Sequence, residues 1–464
     1  MSTAMPLLAA TDLDSPIAWR AGVPVSAAQF LADAAQQAEQ LPARGAVVNL
    51  CVDRYRFAVG LAAAVMRGRL SLLPPNALAD TLARLRESHP QAIALADDPA
   101  LATSHMPVLQ ASPAHAAATD VTMPRIDAVQ PAACLLTSGS TGMPQPHTKS
   151  WGGLVLNVRA AAQRLAQVLQ RPSLAGMSIV ATVPAQHSYG LESTVLLALL
   201  GGAAFDNGRP FYPADIAQAL QRVPRPRALV TTPFHLKTLL LAGVALPPVD
   251  LVLCATAPLS PQLALQAERS LGGPLVEIYG CTEAGQVATR RTVESEVWET
   301  FGELRIHRED GDDGERFVVH GGHVLSPTPL ADVLQLDGPR RFRLLGRSND
   351  LIHVAGKRTS LAHLNYHLNS IEGVTDGAFW LPSEVADGVV RPVAFVVAPA
   401  LDAAQVIAAL RARLEAVFVP RRVVKVPALP REPTGKLTEQ SLRQLARMHF
   451  GGSDGTWPAQ APNA

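Results

Sequence analysis

The sequence has little charge imbalance, few cysteines and no long apolar run. Its 464 residues carry 40 Lys and Arg against 39 Asp and Glu, so no electrostatic basis exists for binding nucleic acid or an anionic membrane. The four cysteines form no C-x-x-C pair and indicate neither a zinc site nor a disulfide framework. Apolar stretches such as residues 193–205 are too short to span a membrane, and residues 1–10 lack the positive charge of a secretory signal. We therefore expect a cytoplasmic protein without a membrane span.

Short β-branched runs alternate with helical patterns over most of the chain. With 48% hydrophobic residues, the chain can bury a large core and is long enough for two or three domains. The predicted strands are 46–52, 179–183, 228–232, 251–254 and 275–279, and the predicted helices are 57–67, 153–169, 213–222 and 261–271. This alternation favours parallel sheets covered by helices, with functional loops at the carboxyl ends of the strands.

The pattern changes after about residue 300. Two antiparallel strands, 304–306 and 316–320, flank an acidic glycine turn, and residues 341–345 form one more predicted strand. The remainder contains a predicted strand at 392–397 between helices at 361–368 and 403–417.

We predict an α/β fold with two domains. Residues 1–346 form a large N-terminal domain of helix-covered parallel sheets with a small distorted β-barrel. Residues 347–464 form a small mobile α+β domain.

A glycine and hydroxyl loop follows the apolar run 132–136. Its sequence is T-S-G-S-T-G-M-P at positions 137–144. Backbone N–H groups of such a loop can surround a phosphate chain, and the hydroxyls add donors. Its spacing differs from that of a Walker loop. Taken alone, the same composition is also typical of a flexible linker.

The segment 277–283 ends a predicted strand with an aromatic ring, a glycine, a hydroxyl and a carboxylate. Tyr279 can stack on a purine, Thr282 can bind a phosphate oxygen, and Glu283 can hold Mg²⁺ between phosphate oxygens. When each residue is considered alone, the alternatives are that Tyr279 is a buried core residue and that Glu283 is a solvated surface carboxylate.

Two further places carry polar side chains suited to a nucleotide. Asp332 can accept both hydroxyls of a ribose, and Arg347 can fork onto a sugar or a phosphate, although a surface ion pair is the alternative. Near the C-terminus, Lys436 follows the rigid Pro430-x-x-Pro433-x-Gly435 segment, which would orient its side chain. The alternative is that Lys436 is an ordinary solvated loop lysine.

Taken together, these segments resemble the acyl-adenylate-forming enzymes: acyl- and aryl-CoA synthetases, luciferases and peptide-synthetase adenylation domains. The resemblance runs from about residue 130 to 440, and its motifs stand in the family's order. They are T-S-G-S-T-G-M-P at 137–144, P-A-Q-H-S-Y-G at 184–190, A-T-A-P-L at 255–259, Y-G-C-T-E at 279–283, Asp332, G-R-S-N-D-L-I-H-V-A-G-K-R at 346–358 and P-R-E-P-T-G-K-L at 430–437.

The resemblance implies an AMP-forming acid–thiol ligase that uses ATP and Mg²⁺. A carboxylate would attack the α-phosphate to give acyl-AMP and pyrophosphate, and a thiol would then displace AMP. The implied phosphate-binding residues are Thr137, Ser138, Gly139, Ser140, Thr141 and Gly142.

The other implied site residues surround the adenosine and the reacting groups. Ala255, Thr256 and Tyr279 would bind adenine, and Asp332 and Arg347 would bind ribose. Thr282 would bind phosphate, and Glu283 would bind phosphate and the metal. Lys436 would bridge the carboxylate and the α-phosphate, and His187 would gate the acyl pocket or the thiol tunnel. The alternative is that His187 is a core histidine whose ring nitrogens are hydrogen-bonded within the fold.

The resemblance also implies that the C-terminal domain rotates between the two half-reactions. Asn349 would be the pivot, and the loop 354–357 would then face the pantetheine tunnel. The chain departs from the family at Gln145, where a lysine is usual, and at His353. Lys149 either replaces the missing lysine or is a cation at a helix start.

The predicted acid pocket is aromatic, apolar and weakly polar, and no cation appears in its lining. The predicted lining residues are His187, Ser188, Tyr189, Thr232, Pro233, Phe234, Ala255 and Cys281. This favours an aryl or medium-chain fatty acid over a diacid or an amino acid. The compact chain resembles ligases of bacterial aryl-polyene and xanthomonadin pigment clusters, which implies a hydroxybenzoate- or cinnamate-type acid. The acceptor would be coenzyme A or a separate phosphopantetheinylated acyl carrier protein. A non-catalytic nucleotide-binding relative and a luciferase-like oxygenase are the alternatives.

Overall fold

The computed structural model describes residues 3–98, 105–111, 121–138, 144–311, 314–347, 351–354, 357–382, 392–431 and 437–450. No helix in these ranges combines the length and the apolar character needed to cross a membrane. The predicted residues Gly139, Ser140, Thr141, Gly142, Asn349 and Lys436 lie outside the described residues.

The strands of the described ranges are numbered in chain order. They are β1 Ala4–Pro6, β2 Pro16–Arg20, β3 Val23–Ser26, β4 Val47–Asn49, β5 Ser71–Leu73, β6 Ile93–Ala96, β7 Val108–Gln110, β8 Arg125–Asp127, β9 Pro131–Ser138, β10 Pro144–Ser150, β11 Ser178–Ala181, β12 Ala204–Asp206, β13 Arg227–Thr231, β14 Leu251–Cys254, β15 Leu275–Cys281, β16 Gly285–Arg290, β17 Trp298–Thr300, β18 Arg305–Gly311, β19 Gly314–Gly321, β20 Val324–Leu330, β21 Asp332–Leu336, β22 Arg341–Arg347, β23 Leu351–Val354, β24 Lys357–Ser360, β25 Asp376–Trp380, β26 Val393–Val397 and β27 Arg422–Lys425.

The helices are numbered in the same way. They are α1 Ala27–Gln40, α2 Arg54–Met66, α3 Ala79–Ser88, α4 Trp151–Val168, α5 Ser188–Gly190, α6 Leu196–Gly201, α7 Pro213–Arg222, α8 Pro233–Leu241, α9 Pro261–Leu271, α10 Leu361–Asn369, α11 Ala403–Arg411 and α12 Glu439–Phe450. A π-helical turn, Leu191–Val195, joins α5 to α6.

Two large sheets confirm the predicted α/β architecture. One has the order β10-β9-β5-β4-β6-β7, and the other has the order β21-β22-β17-β16-β15-β14-β13-β11-β12-β2-β3. Strands β2, β12, β11, β13, β14 and β15 are mutually parallel in the second sheet. Because their carboxyl ends share one edge, the loops that follow them meet there.

Local sequence signals explain where many of these helices begin and end. Ser260 accepts the N–H of Leu263 as the N-cap of α9, Pro261 occupies its first turn, and Gly272 ends it with φ +83°. The predicted bounds of this helix are therefore confirmed. In contrast, α11 ends at Arg411 rather than at residue 417.

The predicted small β-barrel is not closed within the described residues. Strands β18, β19 and β20 form an open antiparallel sheet. Of the two strands that follow, β22 pairs with β17 and β21 pairs with β22, so both extend the large sheet. Closure requires every edge strand to find a partner, and here the edges β18 and β20 do not pair with each other.

The residues after position 351 bury apolar side chains of their own. Two clusters, one around Phe379 and Leu410 and one around Phe395 and Leu445, contain only residues from 352 onwards. The proposed C-terminal domain, 347–464, thus has separate apolar cores among its described residues.

Candidate active site

A cavity of about 2800 Å³ opens at the carboxyl-end edge of the large sheet. Its walls include the residues that directly follow β11, β13 and β14, together with the end of β15. Residues after position 351, such as Tyr366 and Arg431, also line the cavity. Segments that are far apart in the sequence therefore share one space.

Tyr279 and Asp332, predicted separately, are in direct contact. The Tyr279 hydroxyl donates to Asp332 Oδ2 over 2.7 Å, and both residues line the cavity. The ring of Tyr279 packs against Trp298 and Phe342, with centroids 5.7 and 5.3 Å away. No motif marked these two aromatic residues, which come from β17 and β22 and hold the tyrosine in place.

The backbone of Arg347 lies directly opposite Asp332 in the antiparallel pair of β21 and β22. The two residues predicted to bind ribose are thus neighbours across strands. The contacts of the Arg347 side chain lie outside the described part of the chain, so its role stays a prediction.

The turn that carries Thr282 and Glu283 is defined by two glycines. The pairing of β15 with β16 shifts register after Tyr279, and a Cβ atom at Gly280 would lie 2.3 Å from the carbonyl oxygen of Gly285. Gly285 itself has φ +79°, which favours glycine. This turn places Thr282 in the cavity wall, while Glu283 lies beside the wall with its side chain 46% exposed.

Two side chains of β10 reach the Glu283 residue. Lys149 Nζ donates to its backbone carbonyl oxygen over 2.6 Å, and His147 Nε2 lies 3.6 Å from its carboxylate. The predicted phosphate loop connects β9 to β10, because Thr137 pairs with Gln145 and Ser138 with Pro144. Strand β10 therefore leads from this loop to the Glu283 turn.

The residues flanking the predicted lysine loop also reach the cavity. Arg431 and Leu437 both line it, on either side of Lys436 in the sequence. The guanidinium of Arg431 forks onto the two carboxylate oxygens of Asp376, with both distances 2.8 Å. This pair fixes the start of the loop to β25.

Thr256 has a backbone conformation that a β-branched residue rarely adopts. It lines the cavity together with Ala255, and its φ is +84°. Such strain typically costs about 1–3 kcal/mol and concentrates at functional sites. No signal in the sequence indicated it.

Aromatic and hydroxyl side chains form the cavity wall after β11 and β13. His187, Tyr189, Thr232, Pro233 and Phe234 lie in the wall as predicted for the acid pocket. Two other residues assigned to this pocket, Ser188 and Cys281, are not in the wall. Ser188 turns away because its hydroxyl donates to Glu192 Oε1 over 2.9 Å, and Cys281 follows Gly280 into the turn.

The same wall also holds polar side chains that no sequence motif predicted. His235 Nδ1 lies 3.1 Å from Thr182 Oγ1, and its ring packs edge-on against Phe211 at 5.2 Å between centroids. Burial lowers the pKa of His235, and the charge of Arg209 lowers it further. The same two causes lower the pKa of His187.

The residues predicted to line the acid pocket include no cation, but cations lie elsewhere in the cavity wall. Arg209 and Lys237 both line the cavity. Arg209 lies on the loop after β12 and Lys237 lies on α8, so neither belongs to a motif that the sequence analysis used. Burial lowers the pKa of Lys237.

Comparison with known proteins agrees with this geometry. Residues 18–306 match the model of the family described as AMP-binding enzyme. A 4-coumarate–CoA ligase of Rhodobacter capsulatus is 32% identical over 280 residues, which is 60% of this chain and 67% of that protein. A 4-coumarate–CoA ligase of Halorhodospira halophila is 29% identical over 51% of this chain and 56% of its own length.

The fold is also found in solved structures. The O-succinylbenzoate coenzyme A synthetase of Bacillus subtilis, in complex with AMP, superimposes with a TM-score of 0.76 at 19% identity, covering 95% of this chain and 98% of that one. The chain therefore belongs to the AMP-binding enzyme family, which confirms both the resemblance to the acyl-adenylate-forming enzymes and the prediction of an AMP-forming acid–thiol ligase.

Proposed function

We propose that this protein uses ATP to convert an aryl carboxylic acid to its acyl-AMP and then transfers the acyl group to coenzyme A. In the first step a carboxylate oxygen attacks the α-phosphorus and pyrophosphate leaves. In the second step the thiol sulfur attacks the acyl carbon, and AMP leaves. The observation that carries the proposal is the contact between Tyr279 and Asp332 inside a cavity that the carboxyl ends of β11, β13, β14 and β15 share.

The proposed nucleotide site follows from that contact. Tyr279 and the strained backbone at Thr256 would hold the adenine, while Asp332 would accept the ribose hydroxyls. Asp332 is preorganised for this task because the Tyr279 hydroxyl fixes one of its oxygens. The connection between β9 and β10 would bind the β- and γ-phosphates, and Lys436 would bridge the carboxylate and the α-phosphate.

Glu283 is the proposed magnesium ligand. Its carboxylate is half exposed, and Lys149 binds its backbone carbonyl oxygen rather than the carboxylate. The described residues contain no cluster of three metal-ligating side chains. A single carboxylate nevertheless fits Mg²⁺, which is commonly held by one or two carboxylates, water and substrate phosphates. The ion would neutralise phosphate charge when bound.

An aryl acid fits the wall around His235. Phe211 and Phe234 pack edge-on against its imidazole, with centroids 5.2 and 5.7 Å away, and Tyr189 is anchored by a hydrogen bond from its hydroxyl to the carbonyl oxygen of Thr231. Aromatic walls with a few polar groups bind and orient flat rings. The two relatives named 4-coumarate–CoA ligase support the same class of acid and support coenzyme A as the thiol.

The test is an acid-dependent ATP–pyrophosphate exchange screen with benzoic, cinnamic, fatty and amino acids. We expect exchange with aryl acids, suppressed by EDTA. Exchange with no acid would overturn the proposal, and a preference for fatty acids would overturn its aryl part. The active acid is then incubated with coenzyme A or a phosphopantetheinylated carrier protein. A thioester formed on the carrier alone would replace coenzyme A as the acceptor.

A further inference from the structure

We infer that Lys149 is a positioning residue that holds the turn of residues 281–285, and with it Thr282 and Glu283, in the geometry needed for a metal-bound triphosphate. The inference rests on the proposed function. It also assigns a role to a lysine four residues beyond Gln145, the position at which the resemblance implies a lysine.

The turn is held at three successive points. Lys149 Nζ donates to the carbonyl oxygen of Glu283 over 2.6 Å. His323 Nε2 lies 3.1 Å from the carbonyl oxygen of Ala284. The N–H of Gln286 donates to Glu192 Oε2 over 3.1 Å. Each contact comes from a different element, so the turn cannot shift without breaking at least one of them.

Glu192 gives Lys149 a fixed anionic neighbour. This carboxylate is 1% exposed, lies in the π-helical turn and accepts hydrogen bonds from Asn157 Nδ2, Ser188 Oγ and Gln286 N at 2.9, 2.9 and 3.1 Å. Burial raises the pKa of Glu192, whereas the charge of Lys149 and the three donors lower it. Glu192 is thus held rigidly, and its charge acts on the ammonium of Lys149 while that ammonium donates to the carbonyl of the turn.

Stabilisation of a helix start does not explain Lys149. Ser150 is the N-cap of α4, and its hydroxyl accepts the N–H of Gly153 over 3.2 Å. A cation beside a helix N-terminus is unfavourable, because the peptide dipoles carry partial positive charge there. Burial also lowers the pKa of Lys149. Both effects disfavour the charged lysine at this place, whereas its hydrogen bond to the carbonyl oxygen of Glu283 and the nearby charge of Glu192 favour it.

The expected consequence concerns the metal-dependent part of nucleotide binding. Residues that orient a metal ligand typically contribute 10–100-fold to affinity or activity. If Lys149 is lost, the carbonyl of Glu283 loses its donor and the Thr282–Glu283 backbone is free to move. The adenosine contacts at Tyr279 and Asp332 do not depend on this turn.

The test compares Lys149→Met with Lys149→Arg, and uses Lys425→Met on exposed β27 as the matched control. ATP binding is measured by calorimetry in EDTA and in Mg²⁺, together with exchange kinetics. For Lys149→Met we expect ATP affinity in EDTA to match the wild type. The gain in affinity on adding Mg²⁺ and the kcat of exchange should each fall by about 10-fold or more, with the KM for the acid unchanged. Lys149→Arg should retain much of both.

Removing Lys149 alone leaves Glu192 as a buried charge without its cation, which can destabilise the fold. The double variant Lys149→Met, Glu192→Gln removes both charges and should melt near the wild type while keeping the magnesium defect. The inference is overturned if a folded variant gains as much ATP affinity from Mg²⁺ as the wild type does. It is also overturned if the variant loses as much ATP affinity in EDTA as it loses in Mg²⁺. Exchange absent from the wild type would instead overturn the proposed function.

Discussion

Arg209 places a positive charge in the wall of the cavity near two imidazoles. Its charge lowers the pKa of both His187 and His235, after the larger effect of burial. Among the described residues no carboxylate forms an ion pair with Arg209, whereas Arg225 forms one with Asp250. A guanidinium in a binding wall favours a ligand group that is anionic or accepts hydrogen bonds.

We predict that Arg209→Gln changes which aryl acids are used. An acid with a second acceptor group loses a charge-assisted hydrogen bond, so its KM should rise by about 10-fold or more, whereas the unsubstituted acid should be unaffected. The measurement is ATP–pyrophosphate exchange with the pairs cinnamate and 4-coumarate, and benzoate and terephthalate. Arg209→Lys keeps the charge and should lose less. An equal change for both members of each pair would contradict the prediction.

At the scale of elements, the irregular antiparallel pairing of β15 with β16 shapes the site. Gly280 follows the register shift, and its backbone approaches that of Gly285 so closely that an added Cβ atom would lie 2.3 Å from a carbonyl oxygen. A carbonyl oxygen of the backbone cannot rotate away as a side chain can. A methyl group at position 280 must therefore move the turn that carries Thr282.

We predict that Gly280→Ala lowers exchange activity by at least about 10-fold and destabilises the fold by roughly 1–3 kcal/mol. Gly68→Ala is the control, because a Cβ atom at Gly68 would meet no heavy atom within 4 Å, so only its φ of +65° opposes the substitution. It should lower stability by about 1 kcal/mol and leave exchange unchanged. Urea unfolding and exchange rates check both expectations, and equal activity of the two variants would count against the role of the turn.

Local signals determined which elements the sequence could predict. Helix α9 was predictable to the residue because its cap, its proline and its terminal glycine act locally. The end of α11 was not predictable. Leu410, Leu414 and Phe418 keep helical spacing and share one cluster, yet turns replace the helix after Arg411. Apolar spacing reports which side chains are buried, and turns can bury the same ones.

The site was predictable only where a motif carries it. Y-G-C-T-E and Asp332 were found from the sequence, but the hydrogen bond between Tyr279 and Asp332 depends on how β21 is placed. Arg209 and His235 belong to no motif. They come together only in the folded chain, where the loop after β12 packs against the start of α8. Positive φ at Thr256 is likewise a property of the folded chain.

At the scale of the whole molecule, α10 brings two histidines to the cavity wall. The rings of His363 and His367 lie 4.5 Å apart, and both residues line the cavity together with Glu296. Burial lowers the pKa of His367 to about 4, with further lowering by His363 and Arg413 and an opposing effect of Glu296. Burial also lowers the pKa of His363, again opposed by Glu296.

We predict that acid weakens the fold through these histidines. An unfolded histidine titrates near pH 6.5, so between that value and about pH 4 the unfolded chain binds more protons than the folded chain. The contribution of His367 is therefore complete above about pH 6.5 and is lost as the pH falls towards 4. The urea midpoint of His367→Gln should fall less over this range than that of the wild type. Parallel pH profiles would contradict the prediction.

The two half-reactions should depend differently on the C-terminal residues. Arg431 and Leu437 place both flanks of the predicted lysine loop in the cavity wall, and the fork of Arg431 onto Asp376 fixes one flank to β25. The residues proposed to bind adenosine, Tyr279 and Asp332, come from the large sheet rather than from this loop. A lysine delivered by the loop would neutralise charge that develops between the carboxylate and the α-phosphate, which exists only in the first half-reaction.

We therefore predict that Lys436→Ala lowers acyl-AMP formation by at least about 100-fold but leaves thioester formation from supplied acyl-AMP near the wild-type rate. Pyrophosphate release measures the first step, and consumption of coenzyme A in the presence of synthetic acyl-AMP measures the second. Lys425→Ala, on the exposed strand β27, should change neither. Loss of both steps would mean that the lysine supports the fold or the binding of AMP. Wild-type pyrophosphate release would mean that another cation, such as Lys237 or Arg209 in the same wall, neutralises the developing charge.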